Sequence, residues 1–88
     1  MNKINLPACE TYYNGGPHPG DVWLHVKSRR NYLVLGIAML EPTATPAVLY
    51  RLSEIKDSLV WISDVQDWFA IQENGVPRFV LLTQGHKP

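Results

Sequence analysis

At 88 residues the chain has room for one domain, and its 45% hydrophobic, 18% charged composition is that of a globule, not a disordered tail. Eight basic and eight acidic residues cancel, which argues against a general DNA or RNA coat, because phosphate neutralisation draws on a basic excess. The single cysteine, Cys9, excludes an internal disulfide and fits a reducing cytosol; with no signal-peptide-like run in Met1–Pro7 and no stretch near the ~20 apolar residues of a membrane span, a soluble, cytoplasmic protein is expected.

Residues 1–20 read as an irregular lead-in. Tyr12-Tyr-Asn-Gly-Gly-Pro-His-Pro-Gly20 is turn-rich and aperiodic, and Tyr12 and Tyr13 could form a lid. Asp21 to Lys27 alternates with period two and predicts a strand. Val22, Leu24 and Val26 are expected inside, and Trp23, His25 and Lys27 on a polar-aromatic outer face. Ser28–Asn31 is a turn. Tyr32 to Leu40 is almost wholly apolar and reads as a covered strand, with a bend or bulge at Gly36. Glu41–Pro46, with two prolines, is a loop.

Ala47 to Leu52 predicts a third strand, with Val48, Tyr50 and Leu52 on one face and Ala47, Leu49 and Arg51 on the other. Ser53 to Ser58 is a loop or a single helical turn. Leu59 to Ile62 is a fourth strand, with Trp61 expected in the core. Asp64 is a plausible N-cap for a short turn ending at Trp68. Phe69–Gln72 and Pro77–Leu82 flank Asn74-Gly75, a strong hairpin signal. Pro77, lacking an amide donor, belongs at an edge. The pattern gives an all-β fold: a small SH3-like barrel of five or six short antiparallel strands and one short helical turn over residues 21–83, with a tail at 84–88. The runner-up is an open, bent sheet that completes itself by dimerising.

Several blocks carry a family likeness. Trp23-Leu-His-Val-Lys27, Val34-Leu-Gly-Ile-Ala38, Val48-Leu-Tyr-Arg51, Trp61-Ile-Ser-Asp64, Trp68-Phe69 and Val76-Pro-Arg-Phe79 follow in that order. From about residue 20 to residue 80 the chain resembles domain-of-unknown-function family 1653, a small bacterial and phage domain. The last two blocks are the most specific. The resemblance implies an SH3-like barrel and a phage or bacterial setting, but no settled biochemical role. Leu24 stands where the family pattern has arginine, and Ser63-Asp64 replaces Arg-Pro.

The candidate chemistry is binding. Trp23 and Trp68 lie beside polar residues and, if exposed, would stack a base or a peptide aromatic. Arg51 and Arg78 offer planar forks for carboxylate or phosphate. The bland alternative pairs them with Glu54, Asp57 or Glu73. His25 could add a hydrogen bond, and Tyr50 shares a strand with Arg51 on the opposite face. Arg29 and Arg30 read as a solvated loop tip. His18, His25 and His86, with Cys9 and Asp21, lack zinc-ligand spacing, so no metal or cofactor is expected. His25 with Asp21 or Asp67 is the one acid–base pair available, and an enzyme is not expected.

Two functions follow. The first is a non-catalytic binder that sequesters a small, anionic, nucleotide-like ligand. Its cleft would be formed by Trp23, His25, Tyr50, Arg51, Trp68 and Arg78, at the interface of a homo-oligomer. The second is a protein-interaction module whose aromatic groove or edge strand takes an extended peptide or partner protein.

Overall fold

The computed structural model describes residues 16–72 and 74–85. Five strands form one antiparallel sheet: β1 (Val22–His25), β2 (Arg30–Leu40), β3 (Thr45–Leu52), β4 (Trp61–Asp64) and β5 (Phe79–Thr83). A one-turn helix, α1 (Val65–Trp68), separates β4 from β5. The strand order is β4-β3-β2-β1-β5. The fold is therefore all-β with one helical turn, and at this level it fits a small SH3-like barrel.

The hairpins follow from local chemistry. Arg29 N–H donates to His25 O at 2.8 Å and closes the β1–β2 turn. Ala44 N–H does the same to Glu41 O at 3.3 Å before β3. Both closing residues sit in the left-handed region, at φ 59° and 51°, a conformation that costs a non-glycine residue about 1–2 kcal/mol. The break expected near Gly36 is present: the β2–β3 register shifts between Val34 and Gly36. Asp64 caps α1, its Oδ1 accepting from Gln66 N–H at 2.7 Å. The Asn74-Gly75 turn is tight, with Gly75 at φ 80°. Its flanks meet at an isolated Ile71–Pro77 bridge, with Gln72 N–H donating to Val76 O (2.9 Å) and Arg78 N–H to Ala70 O (3.0 Å); Pro77 itself has no amide to add to the ladder.

Trp23, Val34, Val48, Tyr50, Trp68 and Phe79 form the core, with Tyr32, Ile37 and Phe69 packed against it. The facing of β1 is the reverse of the expected one. Trp23 and His25 pair with Tyr32 and Arg30 on the core side, and Val22 and Leu24 face away. Period two separates two faces without saying which is inside. The indole buries more area than a valine, and it settles the choice here.

Both ends of the described region are tied in. Pro17 is fully buried. Asp21 is also buried, and its carboxylate accepts from His18 N–H (2.8 Å), Gly85 N–H (2.8 Å) and Trp23 Nε1–H (3.4 Å). Gly20 (φ 90°) and Gly85 pass so closely that a Cβ on Gly85 would overlap the Gly20 backbone. Residues 16–20 and 84–85 thus pack on the body as part of it. Cys9, Tyr12, Tyr13, Glu73 and His86 lie outside the described residues.

Candidate functional site

Five of the six expected ligand residues do converge, but inward. Trp23, Tyr50 and Trp68 are buried. Trp68 stacks on Phe79, with centroids 3.8 Å apart and planes 5° from parallel. Tyr50 and Trp23 meet Trp68 edge-on at 5.0 and 5.6 Å. The face on which a base would stack is already occupied by Phe79. These rings hold the barrel together, and a flat ligand has no slot among them. Trp68 Nε1 is buried without a hydrogen-bond partner, a cost of about 1–3 kcal/mol that the ring contacts offset.

His25 and Arg78 stand at the rim of this cluster. The His25 ring lies 5.1 Å from Phe79, and its Nδ1 contacts Ser28 Oγ at 2.7 Å and accepts from Ser28 N–H at 3.3 Å. Burial, then the positive charges of Arg78 and Lys27, hold the imidazole pKa below its ordinary 6.5. The acid–base pairing of His25 with Asp21 or Asp67 is not formed: Asp21 is committed as above, and Ser28 takes His25. Among the described residues no group of three His, Cys, Asp or Glu could hold a metal ion.

Strict strand alternation would point Arg78 away from Phe79, and it does not. It precedes β5, outside the regular strand, and its guanidinium folds 5.0 Å over the Phe79 ring. Its Nη1 donates to Ser63 Oγ (3.1 Å) and Asp67 O (3.2 Å). It thus bridges from the start of β5 to β4 and α1, at the two open edges of the sheet. Burial raises the Tyr50 phenol above its ordinary 10, and Arg78 pulls it the other way. Arg51 stays apart on the other face, its Nη1 donating to Leu52 O (2.8 Å) and Ile55 O (3.2 Å). The Arg51 guanidinium holds the loop after β3, and that of Arg78 ties β4 to α1.

Arg29 and Arg30 line a cavity of about 120 Å³ with Asn31, Leu52, Glu54 and Ile55. That is below the ~300 Å³ at which small-molecule pockets begin, and the Glu54 carboxylate shares it.

The larger feature is an edge. β4 pairs with β3 on one side, Tyr50 with Trp61 and Leu49 with Ile62, and among the described residues no strand lies on the other. Leu59, Val60, Trp61 and Ile62 are 82, 51, 51 and 61% exposed. Trp61 is therefore not in the core. Register places it on the Tyr50 side, but at the sheet margin the described residues leave it half exposed. Four consecutive apolar residues read as a strand buried on both faces. Here no described residue supplies that cover. Ile55, in the turn before the run, is also exposed, with Ser58 N–H donating to its carbonyl at 3.1 Å. The run was visible in the sequence. Its edge position was not, since pairing partners are not local.

Comparison with family models, with curated proteins and with solved structures finds no match for this chain. Among the described residues no helix is long and apolar enough to cross a membrane.

Proposed function

We propose that this chain is a non-catalytic protein-interaction module that accepts an extended segment along β4. The observation that carries this reading is the exposed run Leu59–Ile62, which leads into β4, a strand with one side unpaired among the described residues. An exposed strand edge offers unpaired amides and carbonyls to an incoming strand, and alternate side chains supply specificity. Natural monomers usually blunt such an edge with charge or proline. Between Asp57 and Asp64 there is neither. The stacking rings of the nucleotide-binder reading are core residues here, and both of its arginines bind backbone carbonyls, so the edge is the better-supported site.

The test is selection from a random-peptide display library, followed by amide chemical-shift mapping. Selected peptides should be extended and alternately apolar, and should perturb residues 59–63. Peptides mapping to Arg29, Arg30 and Glu54 would overturn the assignment. So would stabilisation by a nucleotide: a ligand at a hundred times its Kd stabilises by about 2.7 kcal/mol, several degrees in so small a domain.

A further inference from the structure

We propose that Asn74 modifies itself. The Gly75 nitrogen closes on the Asn74 carboxamide, ammonia leaves, and water opens the ring to aspartate or isoaspartate, at a rate set by opening of the turn that Gly75 closes. This chemistry is independent of the β4 edge. Three observations mark the Asn74-Gly75 turn as a reactive one.

The first is access. Asn74 and Gly75 are both exposed at the hairpin tip. A Cβ built on Gly75 meets nothing within 4 Å, so solvent base reaches its amide. Glycine also leaves that nitrogen without the shield of a side chain.

The second is aim. Asn74 Oδ1 accepts from Val76 N–H at 3.1 Å. The ring closed by this bond runs through the Gly75 nitrogen, so the carboxamide is folded forward over the amide that attacks it. The same donor polarises the carbonyl and stabilises the oxyanion that forms as Cγ becomes tetrahedral.

The third is restraint. Gly75 N–H donates to Gln72 O at 2.8 Å, and Gln72 N–H to Val76 O at 2.9 Å. The first bond holds the proton that must leave. It has to open before the nitrogen attacks, and an exposed tip opens locally at low cost.

In the opened turn, solvent base takes the Gly75 amide proton. The N–Cγ bond forms, the Cγ–Nδ2 bond breaks, and Nδ2 gains a proton and leaves as ammonia. Water then adds to either carbonyl of the five-membered imide. Addition at the side-chain carbon gives aspartate. Addition at the backbone carbon gives isoaspartate, whose chain runs through Cγ and is one methylene longer. Either product adds a negative charge to a chain of zero formal net charge, in the open hollow that Asn74 lines with Lys27.

Ageing of the full chain at mildly alkaline pH and about 37 °C, followed by trypsin and mass spectrometry, tests the site. Trypsin separates Asn74, in residues 57–78, from Asn14, the other asparagine followed by glycine, in residues 4–27. The 57–78 fragment should gain the mass difference between a hydroxyl and an amino group, as two products resolved by chromatography, at a rate that rises with hydroxide. In urea the same chain should react about tenfold faster, the factor for an opening cost of about 1.4 kcal/mol. Asn74→Gln should keep the far-UV spectrum and abolish the gain in 57–78, because the larger ring closes far more slowly. A gain confined to 4–27, or one in 57–78 that survives Asn74→Gln, would overturn the site. Equal rates in native buffer and in urea would overturn the turn as its gate.

Discussion

Asp21 does more for this fold than its place in the sequence announces. One buried carboxylate accepts from a residue before β1, from the Trp23 indole and from Gly85, 64 positions away. Hydrogen bonds to a charged group contribute about 1.5–3 kcal/mol each, and amides left unpaired add their own cost. Asp21→Ala should therefore destabilise by about 2–4 kcal/mol in urea unfolding, a large share of so small a domain's stability. A loss under 1 kcal/mol would show that water replaces the carboxylate cheaply. His25 makes a pH-dependent contribution. Its folded pKa lies below 6.5, from burial first and then from Arg78 and Lys27. The unfolded chain takes up this proton before the folded one does. Stability owed to His25 is thus fully present above about pH 6.5 and falls as pH drops toward the folded value. Comparison of wild type with His25→Gln isolates the effect: the variant should lose less stability between pH 7 and 5. An identical slope would mean that the imidazole titrates normally.

At the scale of elements, legibility depended on how local the cause was. The α1 cap was readable because Asp64 and the amides it serves lie within one turn. The Gly75 turn and the break near Gly36 were readable for the same reason. The inner face of β3 was also correctly grouped, Val48 with Tyr50. The facing of β1 and the exposure of Trp61 were not readable, because each depends on a neighbour distant in sequence. Trp23 turns inward toward Trp68 and Phe69. Trp61 stays half exposed because no described strand pairs beyond β4. The expected ligand cleft failed on this point: residues suited to stacking a ligand are equally suited to stacking on one another. The cap itself is testable. Asp64→Ala should cost about 1 kcal/mol, the usual value of a lost N-cap. It should also loosen the carbonyl of Asp67, where Arg78 is anchored. Amide exchange at Gln66 should quicken in that variant, and unaltered exchange there would separate the cap from the helix it starts.

For the molecule as a whole, the open question of a small barrel is how its two edge strands are managed. β1 to β3 are paired on both sides, and β4 and β5 each on one. Arg78 reaches from the start of β5 to Ser63 on β4, and the Trp68–Phe79 stack lies beneath. Side chains thus bind the two margins where backbone pairing does not. The outer side of β4 keeps its apolar run. A chain of this length buries only about 60% of its unfolded surface, so its own stability is marginal, and a segment taken up along β4 would add to it by mass action. A peptide selected for the edge, at a hundred times its Kd, stabilises by about 2.7 kcal/mol. At roughly 4–8 °C per kcal/mol for a domain of this size, Tm should climb by about 10–20 °C. Val60→Lys should abolish the climb and leave Tm near that of the free protein. A climb that survives Val60→Lys would place the peptide away from the apolar run before and within β4.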